Sequence, residues 1–154
     1  IIGPGWCGGI RANACAINPH VNELHLAEIR PKRLAEVAAE TNPVSTTDDY
    51  HEILANDSVD AIFISATPES THYPMIKDSL LAGKHVFVEK PISQTMEEAD
   101  EVISIAEQKN LKFSVGYSQR FKPKFAFVHK ALKDPKNVRK NPAAARHPGV
   151  GLLN

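Results

Sequence analysis

Ile1-Ile2-Gly3-Pro4-Gly5-Trp6-Cys7-Gly8-Gly9, residues 1–9, decides the fold. Gly3, Gly5 and Gly8 form G-x-G-x-x-G directly after an apolar run and directly before a segment of helical period. Context carries the reading, because a glycine-rich turn alone is often only a turn. Between a strand and a helix, such glycines allow a tight turn, close approach of backbone to a pyrophosphate, and close packing of helix on strand. The N–H groups at the helix start have no partner within the helix and can bind phosphate. Trp6 either covers that phosphate site or packs against the first helix. Cys7 is either a thiol activated by the helix N-terminus or a small apolar filler, the commoner use of a free cysteine.

Outward from this stretch, short β-rich runs alternate with segments of helical period to about residue 133. The runs are 1–3, 23–28, 61–65, 85–89 and 112–116. Ala61, Ile62, Phe63 and Ile64 are apolar without alternation, which predicts an interior strand buried on both faces. Between the runs, Ile10, Ala14 and Ile17 share one helical face, as do Leu34, Val37 and Ala38, then Tyr73, Ile76 and Leu80. Pro31 suits a first helical turn, Gly83 a helix C-terminus, and Thr95 with Glu98 a capping box ahead of Val102 and Ala106. The fold class is therefore α/β, a doubly wound parallel sheet of the Rossmann type.

A second polar position supports a dinucleotide. Glu28 ends the next run, 25 positions after Gly3, close to the roughly 20 expected for the acid that binds the adenosine ribose. Its carboxylate favours NAD as the cofactor. Arg30 and Arg33 lie close by in sequence and keep NADP open, since a guanidinium can hold a 2′-phosphate.

Composition narrows the partners. The 154 residues suit one domain with a substantial core, and 18 basic side chains balance 18 acidic ones, so no net field recruits nucleic acid or an anionic membrane. No apolar run approaches the ~20 residues needed to cross a bilayer, and a cytoplasmic protein is expected. Cys7 and Cys15 are too far apart along one helix for a disulfide. His51, His85 and His129 have no metal-site spacing, and no metal is expected. Glu97, Glu98, Asp100 and Glu101 read as a solvated helical face.

Three further segments resemble one family. Ala82-Gly83-Lys84-His85-Val86-Phe87-Val88-Glu89-Lys90-Pro91 resembles the signature of the glucose-fructose oxidoreductase and inositol dehydrogenase family, Gfo/Idh/MocA. Residues 66–72 (ATPESTH) and 116–123 (GYSQRFKP) resemble its two other cofactor-side motifs. The resemblance implies an NAD(P)-dependent dehydrogenase acting on a sugar, polyol, cyclitol or related carbonyl compound. It implies that Lys90 is catalytic, beside the nicotinamide and the reacting carbon, in a loop shaped by Glu89 and Pro91 with a cis Lys90–Pro91 bond. Thr67, Pro68 and His72 are implied along the nicotinamide side, and Arg120 after the last strand of the domain.

The domain expected from these readings is a dinucleotide-binding unit over 1–123, followed over 124–154 by the start of, or linker to, a truncated substrate domain. Pro135, Pro142 and Pro148 mark 134–149 as loop or linker, and Gly149 to Asn154 resembles the beginning of the family's catalytic segment. The first run lacks a methionine and lead-in residues, so a chain trimmed at both ends is expected. A homo-oligomeric enzyme is implied at full length, with this chain alone inactive. The alternative is a catalytically silent dinucleotide-binding module that acts as a sensor.

Overall fold

A computed structural model describes residues 1–134. It divides into two compact units, the first spanning Ile1–Gly116 and the second beginning at Tyr117. The first unit thus ends before the boundary expected at residue 123. Its helices are α1 (Trp6–Ala16), α2 (Pro31–Thr41), α3 (Tyr50–Leu54), α4 (His72–Leu81) and α5 (Met96–Gln108). Its strands are β1 (His25–Ala27), β2 (Ser45–Thr47), β3 (Ala61–Ile64), β4 (His85–Val88) and β5 (Phe113–Val115).

The strands are parallel, with β1 beside β2 and the order β3-β4-β5 in the other group. Ile2 joins the two groups by bridging Ala27 on one side and Ile64 on the other. The Ile2 N–H donates to the Phe63 carbonyl at 2.8 Å, and the Gly3 N–H to the Ala27 carbonyl at 2.9 Å. The run at 1–3 is therefore the centre of the sheet, though only Ile2 forms a bridge. The resulting order, β2-β1-Ile2-β3-β4-β5, reverses direction at the first strand position. That reversal opens a crevice at the carboxyl ends of the strands, where open α/β sheets bind ligands.

Alternation along the strands divides the core into two layers. Ile2, Ile62, Ile64, Val86 and Val88 meet Ile76, Leu80, Val102 and Ala106 of α4 and α5. Ile1, Leu24 and Leu26 meet Ala12 and Val37 of α1 and α2, with Phe63 partly buried against them. β3 is interior in pairing order, but only Ile62 and Ile64 are fully buried. Phe63 is half-buried and Ala61 exposed, so burial on both faces is corrected to one complete face.

The face predicted for α1 is also corrected. Ile10 and Ile17 are exposed and Ala14 with them, while Gly8 and Ala12 are buried and Cys15 partly so. The cause lies at Gly8, where a Cβ would sit 2.4 Å from the Gly3 carbonyl oxygen. A helix that approaches a strand this closely can present only small residues to it. The faces predicted for α2 and α4 hold, with Val37, Ile76 and Leu80 fully buried.

The predicted end signals act as read. Pro31 occupies the first turn of α2, Gly83 adopts φ +78° just past α4, and Thr95 with Glu98 closes a capping box on α5. In the second unit, a 3₁₀ turn (Ser118–Phe121) leads to α6 (Pro123–Leu132). Asp134 apart, the loop expected over 134–149 and the Gly149–Asn154 resemblance lie outside the described residues. Among the described residues, no helix is long and apolar enough to cross a membrane.

Candidate dinucleotide-binding site

The carboxyl ends of the strands open into a cleft of about 590 Å³, reached by the glycine turn, the end of β1 and the loops after β3 and β4. The turn is shaped by the positions of its glycines. Gly3 has φ +71°, a left-handed conformation that favours glycine, and a Cβ there would lie 2.4 Å from the Ala66 Cα. Gly8 is needed for the helix approach described above. Gly5 differs, because its Cβ would meet only the Arg30 guanidinium, at 3.4 Å. Space for a side chain therefore exists at Gly5 in a way it does not at Gly3 and Gly8, on the side where a pyrophosphate could be drawn against the backbone.

α1 begins at Trp6 with Gly5 as its N-cap and no side chain capping it. The N–H groups of its first turn have no acceptor within the helix and make an anion site. Ser65, at the end of β3, lines the same cleft, and its buried hydroxyl oxygen has no hydrogen-bond partner. Buried polar atoms are ordinarily paired, so an unpartnered hydroxyl in a residue that lines the cleft fits a polar ligand nearby. The residues present therefore fit a dinucleotide.

The predicted site residues fall into distinct positions. Gly3, Gly5, Trp6, Cys7, Glu28, Arg30, Thr67, His72, Glu89 and Lys90 all line the cleft. Trp6 is 82% exposed, which overturns the reading that it packs against α1. Cys7 and Cys15 are both free, as expected. The Thr67–Pro68 and Lys90–Pro91 bonds are cis, the second as the family resemblance implied. Arg120 lies in the second unit, in the turn before α6. No group of His, Cys, Asp and Glu that could hold a metal occurs among the described residues.

Glu28 is buried, and Arg30 holds it. Arg30 Nε donates to Glu28 Oε1 and Nη2 to Oε2, both at 2.9 Å, while the Arg30 backbone N–H reaches Oε1 at 3.1 Å. These contacts keep the carboxyl below the usual carboxylate range, the Arg30 hydrogen bond being the largest cause. Oε1 thus accepts twice and Oε2 once, so acceptor capacity for a ribose hydroxyl remains on Oε2. Arg33, named with Arg30 for the ribose end, does not line the cleft. Its Nε and Nη2 donate to the carbonyls of Pro4 and Gly5, each at 2.9 Å, so it braces the glycine turn.

His72 was expected along the nicotinamide side, and its position is more specific. It is buried at the start of α4, with Nδ1 2.7 Å from the Pro91 carbonyl and Nε2 3.0 Å from the Ala66 carbonyl. Each ring nitrogen faces a backbone carbonyl and the neutral ring donates to one of them, so His72 lies between the loop after β3 and the loop after β4. Lys90 itself is exposed at the mouth of the cleft.

Sequence reasoning missed several residues. Ile29 lines the cleft beside Glu28 and is 79% exposed, an apolar surface suited to a flat aromatic base. Asp48 and Tyr50, from the segment after β2, line the same end. The signal for Ile29 was its place directly after the ribose acid. Tyr50 had none, because α3 is only five residues long.

A doubly wound sheet with a glycine turn, an orphan helix N-terminus and an acid at the neighbouring strand end defines a dinucleotide-binding Rossmann domain. The chain belongs to the Gfo/Idh/MocA oxidoreductase family, whose model, described as "Oxidoreductase family, NAD-binding Rossmann fold", matches residues 1–117. It is 31% identical over 134 residues to the inositol 2-dehydrogenase of Rhizobium meliloti, covering 87% of this chain and 40% of that protein. It is 32% identical over 132 residues to the UDP-N-acetylglucosamine 3-dehydrogenase of Acidithiobacillus ferrooxidans, covering 85% and 40%. The structure of scyllo-inositol dehydrogenase from Lactobacillus casei with bound NAD(H) and scyllo-inositol is similar with a TM-score of 0.79 at 28% identity, covering 88% and 40%. The chain spans about two-fifths of the length of these relatives. The domain is thus of the NAD-binding Rossmann type.

Proposed function

We propose that this chain is the NAD(H)-binding part of a dehydrogenase that oxidises a carbinol carbon of a sugar, polyol or cyclitol, or reduces the corresponding carbonyl. The observation that carries the reading is the placement of Lys90. It stands at the carboxyl end of β4, exposed to the cleft that the glycine turn and Glu28 share. The bound nicotinamide supplies the hydride acceptor or donor, and the protein supplies orientation and electrostatics. In the oxidation, Lys90 Nζ as the neutral amine accepts the hydroxyl proton while hydride leaves the carbon, and the ammonium so formed releases that proton to the solvent it is exposed to. In the reduction the ammonium donates to the carbonyl oxygen and stabilises developing alkoxide charge. Glu28 accepts from the adenosine ribose and disfavours a 2′-phosphate, so NAD(H) is preferred to NADP(H).

The relatives named for inositol and for UDP-N-acetylglucosamine support a polyhydroxylated substrate. Balanced charge supports a small molecule over a nucleic acid, free cysteines fit a reducing, cytoplasmic compartment, and the family resemblance supports a homo-oligomer. The test is a panel of inositols, aldoses and nucleotide sugars offered with NAD to the protein that carries this chain together with a substrate domain. At least one should give turnover on the order of 1 to 1000 per second, while residues 1–154 alone bind NADH and turn over none. NADH binding by the larger protein without turnover of any hydroxyl or carbonyl compound would overturn the proposal.

A further inference from the structure

Lys90 is exposed, yet the residue before it is fixed from a distant part of the chain. Arg11, in the second turn of α1, crosses to the end of β4. Its Nε donates to Glu89 Oε1 at 2.8 Å, and its Nη2 donates to the same oxygen. The guanidinium lies over the Phe87 ring, 4.5 Å from the centroid, and Phe87 in turn stacks on Phe63. Glu89 Oε2 approaches Gly116, where a Cβ would lie 3.0 Å from it, so the carboxylate is enclosed on that side as well.

We propose that Arg11 is a positioning residue for Lys90, acting through Glu89. α1 receives phosphate at its first turn and carries Arg11 on its second, so the pair ties the phosphate-binding helix to the strand end that presents the lysine. An exposed ion pair would contribute little order, but this one is largely shielded, with side-chain exposures of 26% and 14%. Two donors on one oxygen and an aromatic ring beneath the guanidinium leave few other arrangements for Glu89. His72 faces the Pro91 carbonyl on the other side, so Lys90 is flanked by one contact from α1 and one from α4. The core of β4 is Val86 and Val88, which Arg11 does not touch through any of these contacts, so its loss should displace the lysine without unfolding the strand.

This inference rests on the proposed place of Lys90 beside the nicotinamide, and the test separates the two. Lys90 acetylation by acetic anhydride is followed by peptide mass spectrometry in residues 1–154, with and without NADH at nine times its Kd. Occupancy at that concentration limits protection to about tenfold by mass action. Wild type should approach that limit. In Arg11→Met, NADH should bind within about twofold of wild type while protection falls below about twofold, because the freed lysine leaves the nicotinamide. Arg11→Lys should recover part of the protection, a result that a purely structural role would not produce.

Full protection in Arg11→Met would overturn the positioning role and leave the Lys90 reading intact. No protection in wild type would overturn the Lys90 reading itself. Loss of NADH binding in Arg11→Met would make Arg11 a cofactor or folding residue and overturn the proposal. Should Arg11→Met fail to fold by urea unfolding, Arg11→Gln is measured against the same outcomes.

Discussion

Lys90→Met is expected to lower turnover by about 10² to 10⁴, the range for loss of a positioned acid–base group, in the protein that joins this chain to a substrate domain. Methionine keeps much of the apolar stem and removes the charge and all three donors. Oxidation of a carbinol must take the hydroxyl proton while hydride leaves the same carbon, so the oxygen needs a group that holds it and a path for its proton. The proposed function gives both tasks to Lys90, which lines the cleft. NADH affinity should change little, because the proposed phosphate and ribose sites lie at the first turn of α1 and at Glu28. Lys90→Arg should rescue only partly, since guanidinium keeps its charge and cannot give up a proton near neutral pH. Near-normal turnover with weakened NADH binding in Lys90→Met would make Lys90 a cofactor ligand.

The glycines of the first turn should separate by mutation into one that serves the fold and one that serves the cofactor. Gly3→Ala forces a left-handed residue to carry a Cβ within 2.4 Å of the Ala66 backbone. Strain of this kind and overpacking against backbone each cost about 1 to 3 kcal/mol, so a loss of at least about 2 kcal/mol is expected in urea unfolding. Gly5→Ala meets only the tip of Arg30, 3.4 Å away, and should lower the urea midpoint by less than Gly3→Ala. In the proposed site the pyrophosphate lies against this backbone, so NADH binding should weaken by about tenfold or more, the effect of lost backbone contacts to charge. Equal destabilisation by the two substitutions would show that Gly5 is a folding glycine and that the pyrophosphate reading is misplaced.

What the sequence made legible depended on whether the signal was local. The glycine turn, the capping box at Thr95, Gly83 after α4 and the uninterrupted apolar run of β3 are local patterns, and each marks its element. β2 left no trace because Ser45, Thr46 and Thr47 are short, polar and largely exposed at the sheet edge. The buried face of α1 was misread because hydrophobic size normally signals burial, whereas here the backbones come too close for large residues. Of four side-chain roles hidden from the sequence, three came only with tertiary contacts. Arg33 meets carbonyls 28 and 29 positions away, His72 one 19 positions away, and Arg11 a carboxylate 78 positions away. Arg30 is the exception, since its partner Glu28 is two residues away, but the ribose reading of both residues concealed their pairing.

The most direct test of the account is a titration of residues 1–154 with NADH and NADPH, followed by the emission of Trp6. Trp6 is the sole tryptophan of the chain and is exposed at the glycine turn, so bound nicotinamide dinucleotide should quench it by energy transfer. Saturable quenching is expected with NADH, at lower concentration than with NADPH. Glu28→Ala should weaken NADH by about 1 to 3 kcal/mol, the cost of unmet polar groups and lost charged hydrogen bonds, and should narrow the preference over NADPH. Tighter NADPH binding by wild type would reverse the assignment of Glu28 and Arg30. The absence of saturable quenching by either dinucleotide, with no heat of binding in parallel calorimetry, would contradict the central claim that this cleft binds NAD(H).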